Sequence, residues 1–249
     1  MKTRLRASGI HFGLSATVAA LVFAVIALVW YPGGFLSGAG GLELFLLVAS
    51  VDVTLGPLLT FIVFVPGKKG LAFDLAVIGT LQVAALVYGV HVLFEARPAY
   101  VVFVKDRFEV VRANEIEDAD LAKGNPGFDA IPITGPRIAA ARLPTDPAEA
   151  TRIMLSGIAG KDIQTFPQHY VPYDEMRGTA LAQAKPLRDL RALNPSGGTQ
   201  IDAVLKDLSI RDEGARFLPV RAGKRDLVAL LDAREGRVLK FVALRPWEY

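Results

Sequence analysis

The 249-residue chain carries 28 Lys and Arg against 25 Asp and Glu, a formal charge of +3, and no cysteine, which excludes disulfides, thiolate metal ligands and a Cys nucleophile. Residues 1–96 hold Lys2, Arg4, Arg6, Lys68 and Lys69 against Glu43, Asp52, Asp74 and Glu95, so +1 lies there and +2 in the remainder. No basic face dense enough for nucleic acid follows from that balance. Hydrophobic residues make up 52% of the chain, slightly more than the roughly 45–50% of soluble proteins, and the excess is concentrated before residue 95.

The first apolar run, Phe12 to Trp30, is nineteen residues without a charge. As a helix it is ~28 Å long, about the thickness of a hydrocarbon core. "MKTRLR" precedes it and "WYPGG" follows, with aromatics at the expected interface. "SGA" at 37–39 offers small residues for signal cleavage, but the run exceeds the roughly 7–15 residues of such signals, so a retained span is expected. The second span is Leu42 to Phe64 and the third Leu75 to Phe94. The connection 31–41 has no Lys or Arg, whereas "PGKKG" between the second and third spans has two. The positive-inside rule then puts the N-terminus and Lys68–Lys69 in the cytoplasm and everything after Glu95 outside.

The second span contains "VDVTLGPLLTFIVF", with an acid and a helix breaker in a lipid-compatible stretch. An Asp at mid-span costs about 2.5–3.5 kcal/mol on insertion scales, so Asp52 is expected to face protein or water. Ala49, Asp52, Gly56 and Thr60 are spaced i, i+3, i+7 and i+11 along one helix side. Similar small-residue stripes are Gly9, Gly13, Ala16, Ala20, Ala24 and Ala27 in the first span, and Gly79, Gln82, Ala85 and Gly89 in the third. Counted from the outer ends, Asp52 and Gln82 lie ten and twelve residues deep, within ~3 Å of one another in depth. A side-chain hydrogen bond between them is predicted. Pro57 deprives the Val53 carbonyl of its usual donor, and the Thr54 and Ser50 hydroxyls are expected to compensate. Asp52, Gly56, Pro57, Thr60 and Gln82 therefore either hold the helices together or bind a partner. Glu43 and His91 fall near the outer boundary, as interfacial residues or a pH-sensitive pair. Asp74 is placed in the first turn of the third span near Lys68 and Lys69.

Residues 97–249 read as an α+β domain with an antiparallel sheet, large enough for its own core. "AYVVFVKDRFEVV" (99–111) alternates about a Lys105-Asp106 turn, a β-hairpin with an unfavoured turn pair. "ANEIEDADLAKG" predicts a short helix, and residues 124–147, with five prolines, an ordered loop or extended connection. "DPAEATRIMLSGIAG" predicts a helix with Asp146 as N-cap and Pro147 at its first position. "YDEMRGTALAQAKPLRDLRAL" predicts a helix broken near Pro186, and "TQIDAVLKDL" one more. The segment from Ala215 to Trp247 alternates over three stretches, an antiparallel meander. "FPQHYVPYDE" (166–175) is either a packed loop or a partner surface built on Tyr170 and Tyr173. His169 is the only histidine of the domain, which rules out a two-His metal site within it, and no G-x-S-x-G, P-loop or dinucleotide fingerprint occurs. No catalytic residue, metal or cofactor is assigned.

The joint pattern of "WYPG", "GGLELFLLV", "VDVTLGPLLTFIVF" and "KKGLAFDLAVIGTLQVAALVYGVHVLFEARPAYVVFVKDRFEVV", with "YVPYDE" further on, resembles the type IV pilin accessory proteins of the TfpX/TfpZ family. The resemblance implies a non-enzymatic protein of the bacterial inner membrane with a periplasmic C-terminal domain, a pilin-specific chaperone for the stability, assembly or display of a type IV pilin. The groove near Asp52 and Gly56 would then meet the pilin's apolar helix and the outer domain its head. The competing class is a small transport or signalling component with Asp52 in an ion path. An intramembrane aspartyl protease would need a second deep aspartate, and Asp74 sits at the boundary.

Overall fold

The computed structural model describes residues 1–248. Its N-terminal part is three helices, Lys2–Trp30, Gly41–Val63 and Leu71–Glu95, each long and apolar enough to cross a membrane. They include the expected spans except for Phe64, and the first begins ten residues earlier than the apolar run, taking in the basic N-terminus. A soluble helix buries one apolar stripe and exposes polar residues. Here the outward faces carry Leu14, Leu28, Ile62, Phe73, Leu81 and Val87, all exposed, a surface suited to lipid rather than water. The second and third helices are entered through Gly40 (φ +82°) and Gly70 (φ +85°), left-handed positions that disfavour any residue with a Cβ.

Two of the helices are not uniformly α. The first ends in a π-helical turn, Ile26–Trp30, and the second has one at its centre, Val51–Leu55, immediately before Gly56–Pro57. The wider turn absorbs the register change that Pro57 imposes. The hydroxyls do not act as expected: Thr54 Oγ1 donates to Ser50 O and Ser50 Oγ to Leu47 O, neither to Val53.

The C-terminal part is one eight-stranded sheet. Its strands are β1 (Pro98–Val104), β2 (Arg107–Arg112), β3 (Arg137–Ala141), β4 (Tyr170–Pro172), β5 (Lys185–Pro186), β6 (Ala215–Arg221), β7 (Leu227–Asp232) and β8 (Val238–Val242). The order is β4-β3-β1-β2-β6-β7-β8, with β5 paired to β6. The β1–β2 hairpin and the β6–β7–β8 meander are antiparallel, as expected. The sheet as a whole is mixed, which corrects the antiparallel expectation, because β1 pairs with β3 and β2 with β6 in parallel. Residues 124–147 are likewise not all loop. "RIAAA" forms β3, a strand with one β-branched residue, held because Ala139 and Ala140 are fully buried against both faces of the sheet. "ANEIEDADLAKG" supplies a 3₁₀ turn, Ala113–Glu115, and one turn of helix, Asp118–Leu121. The helices Pro147–Ile158 and Gly198–Asp207 form where expected, the former capped by Asp146, which accepts from Ala148 N at 3.2 Å. The break near Pro186 separates Arg177–Gln183 from Leu187–Leu193.

All seven residues of β1 are buried, so both faces of the sheet are covered. On one face Tyr100 and Val102 pack with Ile153, Ile163 and Phe166. On the other, Val101 and Phe103 share a core with Ile26, Tyr31, Phe35 and Leu93 from the outer ends of the helical part. Leu187, Leu190, Ile201 and Leu205 cover β6 and β7.

That shared core packs the two parts together. Tyr31, fully buried, donates from its hydroxyl to Leu93 O at 3.0 Å, and burial pushes its pKa up to about 12. Gly41 lies flat on its ring, where a Cβ would come within 2.7 Å. The Gly38 carbonyl accepts from Lys224 N and Arg225 N, both at 3.0 Å. Arg97, almost wholly buried, donates to Phe94 O and Pro132 O while stacking on the Phe94 ring at 3.6 Å.

Candidate functional site at the centre of the helical part

The site is built around the π-helical turn of the second helix. Asp52 sits in that turn, and Gly56, Pro57 and Thr60 follow on the same inward side, all four buried. Of the i, i+3, i+7, i+11 stripe, Asp52, Gly56 and Thr60 therefore face protein, while Ala49 is half-buried. Gln82 of the third helix lies directly on Gly56, where a Cβ would stand 2.0 Å from Nε2. From there Gln82 Nε2 donates to Asp52 at 3.1 Å, but to the main-chain carbonyl oxygen rather than the carboxylate. The predicted pairing of these two residues is thus present in a different form. Asp52 Oδ1 and Gln82 Oε1 are both buried without a hydrogen-bond partner among the described residues.

The first helix closes the inner end. Ser8 Oγ donates to Pro57 O at 2.8 Å, and His11 Nδ1 lies 2.6 Å from Thr60 Oγ1. Gly56, Pro57 and Thr60 are consequently occupied by the chain's own first and third helices. Ser8 and His11 are not among the expected site residues, because the charge-free apolar run starts only at Phe12. Their signal is legible in retrospect, since Ser8, His11 and Ser15 are spaced i, i+3, i+7, a polar stripe at helical period.

Two grooves reach Asp52. One, of about 160 Å³, runs between the first and third helices past His11, Leu14, Ser15, Val18, Gly79 and Gln82. The other, of about 210 Å³, runs between the second and third past Val48, Val51, Tyr88, Gly89 and Val92, and is apolar but for Asp52 and the tyrosine. Gly89 there admits Val48, whose methyls would stand 2.6 Å from a Cβ.

The remaining expected residues lie elsewhere. Tyr170 and Tyr173 are buried in the sheet domain, the packed-loop alternative of the two that the sequence offers. Tyr170 donates to Gln164 O and Tyr173 to Gly236 O, the latter at 2.7 Å. Burial raises the pKa of both phenols, so they are neutral structural donors at physiological pH. Glu43 and His91 share no hydrogen bond or ion pair among the described residues. Glu43 Oε2 is buried without a partner and His91 is exposed. Asp74 does pair with Lys68, at 2.6 Å.

A family model described as "Fimbrial assembly protein FimB" matches residues 1–35. The chain is 35% identical over 216 residues to the fimbrial assembly protein of serogroup I from Dichelobacter nodosus, covering 86% of this chain and 84% of that one. It is 32% identical over the same length and coverage to the serogroup E1 protein of that organism. It is also 42% identical over 111 residues to the protein of serogroups C1 and C2, which covers 44% of this chain and 85% of that one. No solved structure matches. With relatedness extending through the helical part and most of the sheet domain, this chain belongs to the FimB family of fimbrial assembly proteins.

Proposed function

We propose that the protein acts in fimbrial biogenesis as a non-enzymatic inner-membrane accessory factor, a pilin-specific chaperone of the TfpX/TfpZ kind. In this reading it binds a type IV pilin, stabilises it in the membrane and promotes its assembly or display. The observation that carries the reading is the relatedness to fimbrial assembly proteins over 86% of the chain. The architecture supports it. A subunit held in the bilayer by one apolar helix, with a globular head outside, needs a partner with both a membrane groove and an outer domain. This chain has three span-length helices with grooves and a sheet domain fixed to one end of them. In this reading Lys2, Arg4, Arg6, Lys68 and Lys69 lie in the cytoplasm and the sheet domain in the periplasm, an orientation that the charge pattern supports.

Deletion of the gene, followed by measurement of pilin abundance and surface fimbriae, tests the proposal. Loss of pilin or of fimbriae, restored by the wild-type chain, is expected. Normal fimbriation would refute it and favour a transport or sensing role for Asp52. Reporter fusions at the C-terminus test the orientation, with periplasmic activity expected.

A further inference from the structure

Two acceptors inside the helical part are left unmet, and they share one groove. Asp52 is 7% exposed and its Oδ1 is buried with no hydrogen-bond partner among the described residues, while Gln82 donates an amide N–H to Asp52 O and its Oε1 is likewise buried and unmet. Both residues line the groove between the first and third helices. The runs 12–30, 42–64 and 75–94 contain no Lys or Arg, and His11, which also lines this groove, has its Nδ1 engaged with Thr60 Oγ1 at 2.6 Å. An acyl chain would fill the groove's apolar walls, Leu14, Val18, Val83 and Leu86, but it brings no donor. A helix brings both apolar surface and donors, from Ser, Thr, Asn or Lys side chains or from the free N–H groups of its first turn. Gly79 opens the wall to close backbone approach, since a Cβ there would meet nothing within 4 Å.

We propose that this groove receives a membrane-spanning helix of the partner that presents a hydrogen-bond donor to Asp52 and Gln82. The inference rests on the preceding reading, in which that helix belongs to the fimbrial subunit. A different face competes for the same role. Gly9 and Gly13 are also open, but no unmet buried polar group accompanies them.

The natural absence of cysteine makes the test direct. Single reporters Gly79→Cys and Val83→Cys mark the groove, Gly13→Cys the competing face and Leu81→Cys, at 65% exposure, the lipid side. Each full-length variant is co-expressed with a fimbrial subunit carrying one cysteine in its apolar helix, and membranes are oxidised. Adducts with the subunit are expected at Gly79 and Val83, about tenfold above Leu81, and Asp52→Leu in the Gly79→Cys background is expected to lower them by about tenfold. Asp52→Asn, of the same shape and still an acceptor, retains most of the adduct. Gln82→Leu serves as the second probe if Asp52→Leu does not accumulate. Equal adducts at Gly79 and Leu81, adducts at Gly13 alone, or insensitivity to both Leu variants would overturn the groove assignment. Subunit abundance is scored in the same cells. If it depends on the protein while adducts form only at Gly13, the groove fails and the chaperone reading stands. If it does not depend on the protein, the chaperone reading itself fails.

Discussion

Gly56 is the residue on which the centre of the helical part turns. Its missing side chain makes room for the Gln82 amide, which in turn holds the carbonyl of Asp52 at the π-helical turn. Gly56→Ala is therefore expected to displace Gln82 and lower stability by about 1–3 kcal/mol, the usual cost of overpacking. Thermal unfolding in detergent measures it. The cause is separable, because Gly56→Ala in a Gln82→Ala background should cost measurably less than in the wild type, whereas equal costs would mean the two residues are uncoupled. The polarity and inward direction of this site were legible in the sequence, since a lone mid-span acid must turn away from lipid and its stripe follows helical geometry. The identity of the neighbours was not. Depth arithmetic paired Asp52 with Gln82, but it carries no azimuth, so it could not tell a carboxylate contact from a main-chain one. It also missed Ser8 and His11 because an apolar-run criterion ends where the first polar residue appears.

At the scale of elements, the hairpin turn is a place where the chain tolerates strain. Lys105 adopts φ +57° between β1 and β2, a left-handed conformation that costs a residue with a Cβ roughly 1–2 kcal/mol. Lys105→Gly is expected to leave the fold intact and raise stability by a few tenths to about 1 kcal/mol, part of the gain being offset by the entropy of the unfolded chain. An unchanged or lower melting temperature would count against that account. The helix Pro147–Ile158 makes a different prediction. Glu149 accepts from Arg152 at 2.6 and 2.9 Å and lies 3.2 Å from His169, and the Arg152 guanidinium, foremost, holds its pKa down at about 2 from an ordinary 4.5. A depressed folded-state pKa contributes stability that is present above about 4.5 and lost as pH falls toward 2. Glu149→Gln should therefore lower the neutral plateau and flatten the acid limb over that window, so that variant and wild type converge toward pH 2. The alternating hairpin, the Asp146–Pro147 helix start and the final meander were readable because each carries its own local period or cap. The strand β3 was not, because "RIAAA" has no strand propensity of its own and is held by β1 and β4 on either side. Tyr170 and Tyr173 are left open by the sequence for a related reason, in that aromatics near prolines occur both in interfaces and in cores, and only the tertiary packing separates them.

For the molecule as a whole, the question is whether the three span-length helices and the sheet domain behave as one unit. Their junction is a continuous core, with Ile26, Tyr31, Phe35 and Leu93 from the helical side and Val101, Phe103, Leu218 and Leu227 from the sheet. Phe35 stacks near Phe241 at 5.0 Å, and Gly38 meets Leu227 so closely that a Cβ would stand 2.9 Å from its side chain. Domains connected by a small polar interface move independently, whereas a large apolar one couples them. The wild-type protein in detergent should accordingly lose β-sheet circular dichroism and the fluorescence of Trp30, read in a Trp247→Phe background, in a single coincident transition. Gly38→Val forces Leu227 out of the junction and should separate the two, with the sheet melting first and the Trp30 signal later. Two transitions already present in the unaltered protein would show that the sheet domain is merely tethered, and the proposed binding of a fimbrial subunit's helix and head in a fixed relation would then lack its rigid frame.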